Sequence, residues 1–263
     1  MTEDDLELDL LADTIRKSMA TASGAELDKA LAELGWADML AEIPDIAIPL
    51  VFRLLGETGA HAAVLNDVIA AEAGLPIGDT PALPYAGGSW VVWDRADVSS
   101  STCLDPELAV RQVDSGNEVP LVSGRRALAW WLVGTSRTML NLARSHALDR
   151  TQFGKPIAGF QAVRHRLAET LVAIEGAEAA LAVADDDLGA LLGKAAAGRA
   201  AIIAARNCQQ VLGGIGFTAE HALQGHIRRA LFLDGLLGST RELTREAGAI
   251  IRAQGSAPRL VQL

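Results

Sequence analysis

The chain has 263 residues, half of them hydrophobic and 4% aromatic, with a net charge of −10 and a pI near 5.0. This acidic balance argues against nonspecific nucleic-acid binding, which needs clustered basic residues to displace counterions. No apolar run approaches the roughly 18 residues of a membrane span, and Cys103 and Cys208 form no CxxC pair, which favours a reduced, cytoplasmic setting.

Residues 1–75 are predicted to form a helical domain. Apolar periodicity indicates helices over 4–20 and 25–34. A further apolar stretch over 48–73 predicts one or two helices, with a break near Gly56 or Gly59.

Residues 76–123 have a different composition and are predicted to form a reduced middle β segment. Prolines and paired glycines interrupt them, while 89–93 and 108–113 are rich in strand-forming residues. About three or four short strands fit this length, whereas a sandwich or barrel needs roughly 70–100 residues.

Residues 124–263 are predicted to be helical again and to form a four-helix bundle, so the fold class is mainly α. Ser239 is predicted to cap the last helix, with Glu242 completing a capping box. The four main predicted helices of this part cover 124–149, 157–184, 188–212 and 240–253, with a further short helix over 219–231.

Two polar, glycine-containing segments stand out between these helices. The first, Arg150-Thr-Gln-Phe-Gly-Lys155, offers a guanidinium suited to a pyrophosphate and an aromatic ring. The second, Gln210-Val-Leu-Gly-Gly214, ends a helix with glycines that let a ligand approach backbone amides. Taken separately, the first is better explained as an ordinary interhelical turn and the second as a glycine helix cap.

Together the segments resemble the two flavin-binding signatures of the acyl-CoA dehydrogenase family. The first continues with Ile157, Phe160, Gln161 and Leu167, and the second continues as Gly-x-Gly-Phe-Thr-x-Glu220 and then Arg228. The resemblance implies an acyl-CoA dehydrogenase-like fold and covers most of the chain outside 76–123. Glu33-Leu-Gly-Trp36 matches the family's first domain more loosely.

The resemblance also implies a cofactor, FAD, that is shared between subunits. In the family these signatures reach across a dimer interface to the ADP part of a flavin seated in the neighbouring subunit. The positions of this chain that match are Arg150, Phe153, Gln210, Gly213 and Gly214.

The family's catalytic base has no counterpart at either position that the family uses for it. Leu237, before Gly238-Ser239, matches the first position and Gly124 matches the second. Asp234 and Glu242 lie near Leu237 but at offsets that make them poor substitutes. His221 and His226 are five apart, which does not place them on one helical face, so no metal site is predicted.

The resemblance therefore implies a noncatalytic subunit of a heteromeric acyl-CoA dehydrogenase. Its expected partner is a full-length subunit that carries the catalytic glutamate and most of the acyl-CoA contacts, in an α2β2 heterotetramer. Some family members of this kind act on steroid-CoA thioesters. Two alternatives remain: a flavin-free scaffold or regulatory homologue that only binds a partner, and a homomeric, active dehydrogenase with an unusual base.

Overall fold

The structure is a computed structural model that describes residues 3–96 and 103–256. Each of the three predicted segments thus includes some positions outside the described residues. The helices of the N-terminal part are α1 (Glu3–Thr21), α2 (Ala25–Glu33), α3 (Trp36–Glu42), α4 (Pro44–Thr58) and α5 (Leu65–Glu72).

The helical break predicted within 48–73 falls at Gly59, which ends α4 with a left-handed φ of 78°. Helix α4 begins earlier than predicted, at Pro44, because proline is favoured at the first helical position, where its missing N–H is not needed. Helix α3 was not predicted as a helix. Gly35, also left-handed at φ 84°, separates it from α2.

A buried carboxylate ties these helices to the middle segment. Asp67 on α5 is 3% exposed and accepts hydrogen bonds from the Trp36 indole at 3.1 Å and the Arg95 guanidinium at 2.6 Å. Arg95 also donates to the Gly78 carbonyl at 3.1 Å. Because the buried charge is paired and hydrogen-bonded, it fixes the chain that leaves α5 against α3.

Asp28→Asn is expected to stabilise the protein near pH 7.5. Asp28 on α2 accepts a hydrogen bond from the Ala63 N–H at 2.8 Å, and burial, partly offset by the charge of Arg95, raises its pKa from 3.8 to about 6. Since the folded state binds this proton more tightly than the unfolded state, stability falls as the pH rises from about 4 to about 6. Asparagine keeps the acceptor oxygen without the charge. We expect a gain of about 1 kcal/mol at pH 7.5 and little difference below pH 4.

Thermal denaturation at the two pH values measures this difference. Asp9→Asn, an exposed position on α1, is the matched control and should leave Tm unchanged at both. A wild-type protein that is more stable than Asp28→Asn at pH 7.5 would contradict the expectation.

The middle segment forms a three-stranded antiparallel sheet in the order β1-β2-β3, with β1 at Ala82–Tyr85, β2 at Ser89–Trp93 and β3 at Val110–Val113. The strand predicted over 89–93 is confirmed, and the one predicted over 108–113 is shorter. Strand β1 was not predicted, because Pro84 argues against a strand; β1 is an edge strand of this sheet, where a missing N–H is tolerated.

The C-terminal part is mostly helical. Its elements are α6 (Val122–Asp149), β4 (Thr151–Gln152), β5 (Lys155–Pro156), α7 (Gln161–Leu181), α8 (Asp187–Leu212), α9 (Leu223–Gly235) and α10 (Thr240–Gln254). Helix α7 starts later than predicted, because 157–159 form a 3₁₀ turn. Asp186 caps α8 through the Gly189 N–H, and the predicted capping box of Ser239 and Glu242 is present. Together with the small middle sheet, these helices confirm the mainly α fold with a reduced middle β domain.

Two glycines allow α4 and α6 to cross at close range. A Cβ built on Gly56 would lie 2.3 Å from the Trp131 carbonyl oxygen, and one on Gly134 would lie 2.2 Å from the Arg53 carbonyl oxygen. Such distances exclude any side chain, so the backbones touch there. One continuous apolar core, which includes residues from Ile15 to Leu237, joins all three parts of the chain.

Helix α8 is the central helix of the bundle. By length and composition alone, Asp187–Phe217 is apolar enough to cross a membrane, but 67% of its most apolar window is buried inside the protein. Helix α8 packs against α6, α7 and α10. Its buried sides face these three helices, and its exposed side carries Arg199 and Arg206. A wide apolar face is expected of a helix at the centre of a bundle.

Candidate functional site

The first predicted motif forms a hairpin at the end of α6. Arg150 is the exposed C-cap of that helix, and the turn that follows places Phe153 and Gly154 in left-handed conformations with φ of 53° and 77°. A left-handed φ is unfavourable for a bulky residue, and this ring is 91% exposed, in edge contact with Phe160 at 6.1 Å between centroids. A strained, exposed aromatic residue is typical of a binding surface rather than of a structural turn.

The second predicted motif forms an open loop after α8. Gln210 is exposed, and Gly213 caps the helix with φ 62° and ψ −139°, a conformation that essentially only glycine adopts. A Cβ built on Gly213 or Gly214 would meet nothing within 4 Å. Packing therefore does not require glycine at Gly214, and the space outside both residues is open to a ligand.

The loop is held from its inner side at Gly216, which is buried. The Gly216 carbonyl accepts hydrogen bonds from the side-chain amides of Gln209 and Gln224. A Cβ at this position would lie 2.8 Å from the Gln209 carbonyl oxygen, so glycine is required. Neither glutamine was predicted as a site residue, because only their positions beside the motif could have indicated them.

The predicted cofactor residues are accessible at the protein surface. Arg150, Phe153, Gln210 and Gly214 are exposed, and Gly213 is half-buried. Burial lowers the pKa of His146, which lies one helical turn before Arg150, and the Arg150 guanidinium acts in the same direction. Both motifs are therefore open to solvent.

The structure also brings together the two positions of the family base. A Cβ built on Gly124 would lie 2.9 Å from Cδ1 of Leu237 and 2.2 Å from Cδ1 of Ile69. Leu237 is 0% exposed and has a left-handed φ of 58°. Apolar side chains thus fill the place where a carboxylate would stand. Arg125 donates to the Leu237 carbonyl at 3.2 Å.

Strand β1 is fastened to the segment that carries Leu237. The Leu237 N–H donates to the Pro84 carbonyl at 2.8 Å, and Tyr85 forms an isolated β-bridge with Leu236. The Tyr85 ring stacks on Phe232 at 5.5 Å between centroids. A cleft of about 540 Å³ remains beside this contact.

The two carboxylates nearest to Leu237 in sequence have structural partners. Asp234 accepts hydrogen bonds from the Thr240 hydroxyl at 2.5 Å and the Thr240 N–H at 3.2 Å. Glu242 accepts from the Gly87 N–H at 2.9 Å and from Ser239, and these bonds lower its pKa to about 2. A carboxylate stabilised in its charged form is a weak base, which makes Glu242 a poor substitute for the family's glutamate. Asp234 is occupied by its bonds to Thr240.

Metal chemistry is not indicated by the side chains that the structure describes. Within 3–96 and 103–256, no group of three or more His, Cys, Asp or Glu side chains is placed to hold a metal ion. His221 accepts a hydrogen bond from the Leu223 N–H through Nδ1 at 3.1 Å and helps to start α9.

The fold is that of the acyl-CoA dehydrogenases with a reduced middle β domain. Residues 118–249 match the family described as acyl-CoA dehydrogenase, C-terminal domain. The chain belongs to the acyl-CoA dehydrogenase family.

Two curated relatives come from Mycobacterium tuberculosis. The acyl-CoA dehydrogenase FadE34 is 37% identical over 193 residues, which cover 64% of this chain and 27% of that protein. The acyl-CoA dehydrogenase IpdE2 is 32% identical over 168 residues, which cover 60% of this chain and 53% of that protein. The matched region therefore spans about a quarter of the length of FadE34 and about half of the length of IpdE2.

Solved structures share the fold over nearly the whole chain. A variant of the Tcur3481-Tcur3483 steroid ACAD superposes with a TM-score of 0.74 and 18% identity, covering 96% of this chain and 99% of that one. The ChsE4-ChsE5 complex from Mycobacterium tuberculosis gives a TM-score of 0.65 and 18% identity, covering 98% and 99%. At this identity the likeness establishes the fold alone.

Proposed function

We propose that this chain is the noncatalytic subunit of a heteromeric FAD-dependent acyl-CoA dehydrogenase and completes its partner's FAD site across the subunit interface. One observation carries the proposal: both cofactor motifs are exposed, while Gly124 and Leu237 keep both base positions apolar and buried. The partner would be a full-length homologue that supplies the middle β domain and the catalytic glutamate, in an α2β2 assembly.

The exposed residues of the two motifs fit part of a flavin dinucleotide. Arg150 has no ion-pair partner among the described residues, and its planar guanidinium suits a bidentate contact with a pyrophosphate. Gly213 and Gly214 leave their backbone accessible, and Phe153 offers a ring to pack on a flat group. When bound, FAD accepts the hydride in α,β-dehydrogenation of an acyl-CoA thioester. This chain would bind and orient the cofactor and would exclude water from it.

The decisive experiment is coexpression with a full-length acyl-CoA dehydrogenase encoded beside this chain, followed by a count of flavin per purified complex. We expect one FAD per heterodimer. Arg150→Ala or Gln210→Ala in this chain should weaken FAD retention at least tenfold, because a charge-assisted contact to a phosphate contributes about 1.5–3 kcal/mol. Arg245→Ala, an exposed arginine on α10, is the control and should retain FAD fully.

Other outcomes identify the alternatives. A stable complex without flavin would favour the scaffold function. A lone chain that is yellow and reduces an electron acceptor when acyl-CoA is added would favour the homomeric dehydrogenase and overturn the proposal.

We propose steroid-CoA thioesters as the substrate class of the complex. One solved structure with this fold is a steroid ACAD, and its name supports the proposal for this chain only by analogy. Turnover of a steroid side-chain CoA should exceed that of a simple fatty acyl-CoA with the same purified complex. Efficient oxidation of the fatty acyl-CoA alone would refute this substrate class.

A further inference from the structure

A cavity of about 280 Å³ lies between α4, α6 and α9, beneath the loop that follows the second motif. Leu55, Trp131, Thr135 and His226 contribute to its wall, and Ala219–Ala222 lie at the loop side. None of the residues assigned to the cofactor lines it. Glu220 and Arg228, from the continuation of the second motif, do line it, so the cavity adjoins that motif without including the five predicted cofactor residues.

Its wall holds buried donors that have no hydrogen-bond partner. Trp131 and Thr135, four residues apart on one face of α6, are 0% and 1% exposed. Among residues 3–96 and 103–256, four buried side-chain polar atoms have no partner, and three of them belong to residues of this wall: Trp131 Nε1, Thr135 Oγ1 and Arg228 Nε. Leaving such a group unpaired costs about 1–3 kcal/mol, so a ligand that accepts hydrogen bonds would be stabilised here.

The two arginines of the cavity wall differ in their partners. Arg229 is engaged on all sides, because it pairs with Asp105 and with Glu107, the latter at 2.9 Å, and also donates to backbone carbonyls of the α4–α5 loop. Arg228 has no carboxylate partner in the part of the chain that the structure describes. Glu220, the other acid of the wall, is exposed.

His226 contributes a neutral ring to the same wall. Burial, together with the charge of Arg229, lowers its pKa to about 4. The ring packs against the backbone of Gly59, where an added Cβ would lie 3.1 Å from Cε1. At neutral pH the imidazole can donate or accept one hydrogen bond without adding a second positive charge.

We propose that this cavity binds a small oxyanion of the size of phosphate, held by the Arg228 guanidinium and by hydrogen bonds from Trp131 and Thr135. Each water molecule occupies about 30 Å³, so the space accommodates phosphate with its nearest waters. A dinucleotide is too large for it. An anion there would brace Ala219–Ala222, and with them the end of the second motif, against the bundle. The inference does not depend on the proposed FAD function.

Inorganic phosphate is the probe, titrated into the full chain by calorimetry at constant ionic strength with sodium chloride as the reference salt. We expect saturable binding of one phosphate per chain and a rise in Tm that chloride does not give. Arg228→Gln should weaken phosphate binding at least tenfold. Thr135→Val, which keeps the side-chain shape and removes the hydroxyl, should weaken it about threefold or more.

Arg199→Gln, an exposed arginine on α8, is the matched control and should bind phosphate as the wild type does. If Arg228→Gln does not fold, Thr135→Val decides the question. The proposal is overturned if the wild type shows no phosphate binding beyond the chloride reference, or if neither cavity variant changes it. Because flavin plays no part in these measurements, they are distinct from the test of FAD retention.

Discussion

Arg229→Ala is expected to lower the free energy of unfolding by about 3–5 kcal/mol, the largest stability effect that we predict for a single side chain. Arg229 is 3% exposed and its guanidinium contacts the carboxylate of Asp105, which is 2% exposed. It also donates to the Gly59 and Ala60 carbonyls at 3.3 and 3.2 Å. With alanine at this position, the buried Asp105 carboxylate and the Gly59 and Ala60 carbonyls would lose their guanidinium donor.

The loss of stability should be largest where the middle segment packs against the helices. Asp105 comes before β3, and without Arg229 its buried carboxylate loses its ion pair and keeps the hydrogen bond from the Glu107 N–H at 3.2 Å. Chemical denaturation gives the free energy, and limited proteolysis should show earlier cleavage between 103 and 113. Asp105→Asn in the Arg229→Ala background should recover part of the loss, since it removes the stranded charge.

Arg111→Ala is the control for an exposed ion pair. Arg111 bonds Asp94 at 2.9 Å, but its side chain is 54% exposed, so its removal should change stability by less than about 1 kcal/mol. If Arg229→Ala were no more destabilising than Arg111→Ala, the buried ion pair would not hold the middle segment in place.

Leu237→Glu is expected to destabilise the chain by about 3 kcal/mol at pH 7 without creating dehydrogenase activity. The substitution puts a carboxylate at the family's base position, but that position is fully buried beside Ile69 and bonded to β1 through Pro84. A charge in an apolar site without a partner either raises its own pKa or destabilises the fold. Although a cleft lies beside Leu237, this position has no exposed surface, so we expect that substrate would still not reach the carboxylate.

Leu237→Met is the matched control, because it nearly conserves volume and should cost less than about 1.5 kcal/mol. Thermal denaturation and acyl-CoA-dependent dye reduction by the isolated chain are the measurements. If Leu237→Glu folded stably and reduced the dye, the chain would retain a working site that lacks only its base, and the noncatalytic assignment would rest on that one residue.

The sequence predicted most of the helical framework correctly because its signals are local. Apolar periodicity, the capping box at Ser239 and the glycine at position 59 each act within a few residues. Strand β1 was missed for the same reason: its stability depends on pairing with β2 and on a bond from Leu237, more than 150 residues away. Nothing near Pro84 in the sequence indicates that bond.

In the candidate site, too, the sequence predicted the features with a local pattern and not the contacts between separate parts of the chain. The resemblance carried by the two motifs assigned Arg150, Phe153, Gln210, Gly213 and Gly214 to a shared cofactor, and those assignments remain predictions. The amides of Gln209 and Gln224, which hold the second loop at Gly216, have no recognisable sequence pattern. Their role exists only because the chain turns back on itself after α8.

By itself the sequence determined the family, the mainly α fold, the shortened middle segment and the lack of a glutamate at either base position. Residue identities and their spacing carry that information directly. Only the tertiary structure decided that Gly124 and Leu237 are neighbours, that β1 lies against them, and that orphaned donors of α6 meet Arg228 of α9 in one cavity. These are contacts between residues far apart in the chain, and packing of the whole core sets them, because no local preference distinguishes one distant partner from another.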